Sequence, residues 1–213
     1  MSKSQRDSAV EFILRERVSA IIRTEDQQLA SDAMQAAVDG GFRIVEFTLT
    51  TPGALELVSK FAQNSELLVG AGTVLSPQLA RDAVSAGARF LVSPIVDPEV
   101  ITEAGALGVV SIPGSFTPTE MEKAYRSGAD FVKVFPAPAG GVEFIRAILG
   151  PLPHLRLFPT AGVTPENVQD YLHAGCAGVG FVRSLFVPRD LAERDFQSIR
   201  ARAEGIVQSV ARN

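Results

Sequence analysis

Ser76-Pro77-Gln78-Leu79-Ala80-Arg81-Asp82-Ala83-Val84-Ser85-Ala86-Gly87-Ala88-Arg89-Phe90-Leu91-Val92-Ser93 holds one complete structural unit. Ser76 can cap a helix through its side-chain oxygen, and Pro77 suits the first helical position. The spacing predicts a helix over 78–86. Gly87 then supplies the left-handed residue on which helices commonly end. A β-type apolar run, 90–93, follows at once. The phrase recurs along the chain. Thr117-Pro118 opens a predicted helix over 119–127 that ends in Ser127-Gly128-Ala129. Thr164-Pro165 opens one over 166–174 that ends in His173-Ala174-Gly175-Cys176. Asp39-Gly40-Gly41 is a looser copy.

Working outward, strands are predicted at 18–23, 43–48, 67–70, 90–93, 108–112, 131–135, 155–159 and 178–182. They alternate with helices, and a further helix at 8–16 precedes them. Eight alternating units in a little over 200 residues predict an α/β fold, a (β/α)8 TIM barrel with an extra N-terminal helix, as a single domain over 1–213. A doubly wound sheet is the rival. It would normally place a glycine-rich phosphate turn after strand one, and none stands there.

The 213 residues are 46% hydrophobic, enough for a large core, and the net charge is only −4. No block of like charge points to nucleic acid or to a membrane surface. No apolar run reaches bilayer length and the N-terminal residues are polar, so a cytoplasmic protein is expected. One cysteine, Cys176, excludes an internal disulfide and fits a reducing compartment. With two histidines, His154 and His173, a His-rich metal site is not expected, and neither is a cofactor.

In a barrel of this kind chemistry gathers at the C-terminal strand ends. Period-two alternation sorts the faces there. In strand two, Val45 and Phe47 face the helices, while Ile44, Glu46 and Thr48 face inward. In strand six, Val132 and Val134 face outward, while Phe131, Lys133 and Phe135 face inward. A carboxylate and an amine thus converge on one interior end. A buried lysine is costly unless it is neutralised or paired, and a neutral amine can attack a ketone. The bland alternatives are a lysine snorkelling to water and a buried salt bridge fixing register. Arg23, ending strand one, could clamp a carboxylate or phosphate through its planar fork, or lie on the surface. Gly70-Ala71-Gly72-Thr73 could cradle an anion or form a tight turn. Thr160-Ala161-Gly162 with Thr164-Pro165 places a helix N-terminus after strand seven, where amides and the helix dipole favour phosphate.

Gly41-Phe42-Arg43-Ile44-Val45-Glu46-Phe47-Thr48-Leu49-Thr50-Thr51-Pro52, Val69-Gly70-Ala71-Gly72-Thr73-Val74, Ile112-Pro113-Gly114-Ser115-Phe116-Thr117-Pro118-Thr119-Glu120, Val132-Lys133-Val134-Phe135-Pro136 and Phe158-Pro159-Thr160-Ala161-Gly162-Val163 stand in order along the chain. Together they resemble the 2-keto-3-deoxy-6-phosphogluconate (KDPG) / 4-hydroxy-2-oxoglutarate (KHG) aldolases. The resemblance implies a class I aldolase, usually a homotrimer. It cleaves a 2-keto-3-deoxy-4-hydroxy acid, with KDPG giving pyruvate and glyceraldehyde 3-phosphate. KHG, 2-keto-3-deoxy-6-phosphogalactonate or an unphosphorylated analogue are alternatives. By resemblance Lys133 is the Schiff-base lysine and Glu46 the general acid/base. Arg23 and Thr73 would hold the pyruvyl carboxylate, with Thr48 nearby. Pro94 and Phe135 would line the pocket. Thr160, Ala161, Gly162 and the strand-eight end, with Arg183 and Ser184, would bind the distal phosphate.

The family commonly carries Thr-Gly-Gly after strand seven and Gly-Ser after strand eight. Here the turns read Thr160-Ala161-Gly162 and Phe181-Val182-Arg183-Ser184. A β-carbon at Ala161 and side chains at Val182 and Arg183 stand where bare amides should meet phosphate, and Arg183 could supply a charged contact instead. A thiamine-phosphate synthase-like or epimerase barrel, or a sensor that only binds a sugar acid, would share the glycine–threonine turns without needing the amine and the acid together.

Overall fold

The computed structural model describes residues 4–137 and 140–211; of the single domain expected over 1–213, residues 1–3, 138–139 and 212–213 lie outside the described ones. Helix α1 (Gln5–Glu16) leads into β1 (Val18–Ile22), α2 (Gln27–Asp39), β2 (Ile44–Thr48), α3 (Ala54–Phe61), β3 (Leu68–Gly72), α4 (Pro77–Ser85), β4 (Phe90–Ser93) and α5 (Pro98–Ala106). Then come β5 (Val110–Ser115), α6 (Pro118–Arg126), β6 (Val132–Val134), α7 (Gly141–Leu149), β7 (Leu157–Pro159), α8 (Val168–His173), β8 (Val179–Phe181), α9 (Pro188–Glu193) and α10 (Phe196–Ala211). The strands pair in parallel in the order β7-β6-β5-β4-β3-β2-β1-β8, and a parallel bridge between Thr160 and Gly180 joins the two ends of the sheet. This is the (β/α)8 barrel.

The local signals act as their chemistry dictates. Ser76 Oγ accepts from Leu79 N at the start of α4, and Thr117 and Glu120 form a reciprocal capping box on α6. Gly87, Gly128 and Gly175 all take positive φ, between +95° and +108°, where an L side chain is strained. Several limits differ from expectation: α1 starts three residues early at Gln5, β3 runs two residues on to Gly72, and β7 starts two late at Leu157. β5 starts two residues late and runs on to Ser115, since Gly108, at φ +70°, still belongs to the turn after α5. It can pass through Pro113-Gly114 because Gly114 lies against the Pro94 carbonyl, where a β-carbon would come within 2.5 Å. α8 starts at Val168, not after Pro165. Asn167 Oδ1 accepts from Thr164 N at 2.7 Å and its Nδ2 donates to Gly162 O at 3.0 Å, which holds 164–167 as a turn.

Two apolar layers result. Val45, Phe47, Val132 and Val134 pack outward among the helices. Ile44, Leu68, Phe90, Val110, Phe131 and Phe158 fill the barrel, together with Ala9 and Ile13 of α1. Ile44, Leu68, Phe90 and Val110 are each the first residue of their strand, so α1 plugs the N-terminal mouth. A fully buried isoleucine contributes roughly 1.5–3 kcal/mol to such a plug. The opposite mouth is left for polar groups.

Candidate active site

At the C-terminal mouth a cavity of about 380 Å³ opens among the strand ends. Its walls include Arg23, Glu46, Thr48, Thr73, Pro94, Lys133, Phe135, Thr160, Ala161 and Arg183. These come from seven different strand ends, and the barrel alone brings them together. Gly162 and Ser184 are not among the lining residues. Gly162 backs onto Ala137, and Ser184 Oγ donates to Val163 O at 2.6 Å.

Lys133 and Glu46 point inward as alternation requires, and both are buried, at 9% and 3% exposure. The Lys133 backbone is held between Gly114 of β5 and Phe158 of β7, and Ser115 Oγ donates to its carbonyl at 3.2 Å. Among the described residues neither side chain takes part in an ion pair within 4 Å, so the register-fixing salt bridge is not what forms. Burial is the main influence on both. It pushes the Glu46 carboxyl up, against the pull of Lys133 and Arg23. It pulls the Lys133 ammonium down, against Glu46 and with help from Arg23. Both groups therefore lean toward their neutral forms: an amine with a free lone pair and an acid with a proton to give. The Phe135 ring lies 4.8 Å from Lys133 Nζ and walls off one side.

The Gly70-Ala71-Gly72 run is neither an anion cradle nor a turn. It is strand β3 itself, with Ala71 facing the outer layer. A β-carbon on Gly72 would sit 2.0 Å from Glu46 Oε1, and one on Gly70 would strike the Phe90 ring at 2.4 Å. Glycine here is room for the carboxylate. Thr73, next in line at φ +60°, accepts from Arg23 Nη2 at 3.2 Å. Thr48 Oγ1 meets Thr50 Oγ1 and Thr51 Oγ1 at 3.1 and 3.3 Å, and Thr51 Oγ1 accepts from Thr24 N at 3.3 Å. This hydroxyl cluster ties the end of β2 to the loop that carries Arg23.

Beyond Val182, the far wall was not expected from the sequence. Leu29, Val182, Phe186, Pro188 and Leu191 give it an apolar face, much of it from the short helix α9. Buried Asp190 accepts from Arg202 Nη2, and Arg202 Nη1 donates to Leu185 O, both at 2.7 Å, which locks α9 to α10. Pro188 at a helix start was the one sequence signal for this element.

The chain matches the family model for KDPG and KHG aldolase over residues 10–202. It is 36% identical to a 2-dehydro-3-deoxy-6-phosphogalactonate aldolase of Escherichia coli K12, covering 85% of this chain and 90% of that one. It is 34% identical to a KHG/KDPG aldolase of the same organism, covering 97% and 98%. The structure of a KDPG aldolase from Legionella pneumophila, with pyruvate captured as a covalent carbinolamine intermediate, superposes with a TM-score of 0.83 at 27% identity over 93% of this chain and 97% of that one. These likenesses set aside the thiamine-phosphate synthase, epimerase and sensor readings. With an amine and an acid buried side by side at the barrel mouth, the chain belongs to the KDPG and KHG aldolase family, class I aldolases that work through a Schiff base.

Proposed function

We propose that Lys133 is the nucleophile and Glu46 the proton carrier in cleavage of a 2-keto-3-deoxy-4-hydroxy acid. The observation that carries this is a buried amine with no ion-pair partner among the described residues, drawn toward its neutral form beside a carboxyl drawn toward its protonated form. Lys133 Nζ attacks the C2 ketone, the protonated Glu46 carboxyl gives its proton to the carbinolamine oxygen, and loss of water leaves an iminium and a Glu46 carboxylate. Glu46, directly or through a water, takes the C4 hydroxyl proton. The C3–C4 bond breaks, its electron pair passes into the iminium to give an enamine, and an aldehyde leaves. Glu46 returns the proton to C3, and hydrolysis releases pyruvate and the free amine. Arg23 and Thr73 hold the pyruvyl carboxylate, which fixes the ketone against the amine. Pro94 and Phe135 enclose the reacting carbons. Incubation with pyruvate and borohydride should add a stable mass to Lys133; wild-type protein without that adduct would sink the assignment.

The protein works, in this reading, as a single-domain subunit of a cytoplasmic homotrimer. Supporting self-association, Leu75, Ile95 and Phe116 are exposed apolar residues on the loops after β3, β4 and β5, three neighbouring positions around the catalytic rim. The free, buried Cys176 thiol suits a reducing compartment. Light scattering should give about three times the 22.7 kDa chain mass.

A further inference from the structure

The two sides of the cavity rest on different supports. Glu46, Thr48 and Lys133 lie within paired strands. Arg23 leans toward β3, where Thr73 accepts from it at 3.2 Å, so the carboxylate end of a ligand belongs on that side. Val182, Phe186, Pro188 and Leu191 wall the β8 side, all from the one segment that runs from the end of β8 through α9. That side is left for the aldehyde half of the substrate.

A residue outside the cavity holds that segment. Arg202, on α10, is not among the lining residues. Its Nη1 donates to Leu185 O and its Nη2 to Asp190 Oδ2, both at 2.7 Å. One planar fork thus pins the segment on either side of Phe186 and Pro188. Asp190 is 1% exposed, and its Oδ1 has no hydrogen bond among the described residues; Arg189 Nη2 stands 3.6 Å from it. A second tie, Arg194 Nη2 to Asp26 Oδ2 at 3.1 Å, joins the end of α9 to the cap of α2, which carries Leu29. Both side chains of that pair are about half exposed, at 52% and 46%, where an ion pair adds little. The buried fork is the stronger hold. Without it the Asp190 carboxylate stays buried and, among the described residues, has no hydrogen-bond donor left.

We infer that Arg202 is a positioning residue for the aldehyde half of the substrate: from outside the cavity it sets where Phe186, Pro188 and Leu191 stand. Loss of the fork strands the Asp190 carboxylate, and the segment that moves to relieve it carries the wall along. Lys133, Glu46, Arg23 and Thr73 keep their places, because the two bonds of the fork go to Leu185 and Asp190. The inference rests on Lys133 and Glu46 acting as proposed above.

The test compares two reactions that share Lys133 and Glu46. Deuterium exchange into pyruvate at C3 uses the amine, the acid and the carboxylate clamp alone. Cleavage also uses the aldehyde side; it is followed as pyruvate release from KDPG, KHG or 2-keto-3-deoxy-6-phosphogalactonate, whichever the wild type cleaves best. Arg202→Ala should lower kcat/KM for cleavage by about 10²-fold, the scale of a misplacement near 1 Å, with KM raised. Pyruvate exchange should keep its kcat and KM within about twofold. Arg202→Lys returns a charge beside Asp190 without the fork and should recover part of the loss. Asp190→Asn weakens the same pair from the other side and should shift the ratio of the two reactions the same way, by a smaller factor. These two variants carry the comparison if Arg202→Ala does not fold. Cleavage and exchange falling in parallel in a folded variant would make Arg202 a stability residue alone and overturn the inference, as would cleavage left unchanged. Wild-type protein that exchanges no deuterium into pyruvate would overturn the catalytic reading, and this inference with it.

Discussion

Asp130, in the bend before β6, and Lys133, the middle residue of that strand, are three positions apart, and the fold treats their charges in opposite ways. Both Asp130 oxygens accept from Arg6 Nε, at 2.9 and 3.1 Å, and Oδ2 also accepts from Ser111 N at 3.0 Å. Arg6 Nη2 adds a bond to Gly128 O at 2.9 Å. This charge is fully matched, and its effect is to fasten α1 over the N-terminal mouth. Lys133, a few residues on, is buried deeper and, among the described residues, matched by no carboxylate within 4 Å. A matched buried charge stabilises a contact and is inert. An unmatched one costs stability and is drawn toward the neutral, reactive form. The contrast separates what holds the barrel from what works in it.

The largest effect expected from breaking that contrast is on Lys133→Met. Turnover should fall on the order of 10⁵-fold, the scale seen when a covalent nucleophile is removed. The same change replaces a desolvated amine by an apolar chain of similar length. Thermal unfolding should therefore show a Tm raised by about 2–4 °C, as a gain of roughly 1 kcal/mol implies for a chain of this size. A lowered Tm would mean that Lys133 is a structural residue after all. Gly72→Ala comes next. Its methyl group would land 2.0 Å from Glu46 Oε1 and push the carboxylate aside. A displacement near 1 Å costs about 10²-fold in kcat, and deuterium exchange into pyruvate at C3 should slow with it. Borohydride trapping on Lys133 should persist, because the amine itself is untouched.

Alternation along β2 and β6 was enough to aim Glu46 and Lys133 at one interior end. Ser76, Thr117 and the glycines at 87, 128 and 175 marked helix limits through local backbone chemistry that needs no partner. What sequence did not reveal depends on neighbours distant in the chain. Gly70 and Gly72 read equally well as a turn, and only the Phe90 ring and the Glu46 carboxylate beside them make them strand residues. Ser184 reads as a phosphate ligand until its hydroxyl is found on Val163, 21 positions away. Thr164 reads as a helix cap until Asn167 turns back onto it. Side-chain bonds to backbone have no periodicity, so the distal turns were the least legible part of the site.

Arg6→Ala probes the matched end. It removes the charge-assisted bonds to Asp130 and leaves that carboxylate with Ser111 N alone. A loss of about 1–3 kcal/mol is expected, read as a lowered Tm or denaturation midpoint. kcat/KM should stay within about twofold, because the barrel interior lies between α1 and the cavity. A parallel collapse of activity at temperatures where the protein is still folded would show that the plug also positions the catalytic end.

The smallest effect, and the most direct reading of the unmatched end, is the pH dependence of stability. In the unfolded chain the Glu46 carboxyl titrates near its ordinary value, about 4.3. In the folded protein burial raises it, with Lys133 and Arg23 pulling the other way. Between those two values the folded state holds the extra proton. The contribution of Glu46 to stability is therefore complete below the unfolded value and is lost as pH rises through the folded one. Lys133 runs in the opposite sense. Its folded pKa is depressed, so its contribution is present above about 10.4 and is lost as pH falls through the folded value. Glu46→Gln removes the first titration and keeps the shape. The difference in Tm between Glu46→Gln and wild type should be smallest near pH 4 and should grow in favour of the variant toward neutrality, by about 2–4 °C for each kcal/mol gained. A difference that stays flat from pH 4 to pH 8 would give Glu46 the pKa of an ordinary surface carboxylate, and the acid that returns a proton to C3 would have to be sought elsewhere on the cavity wall.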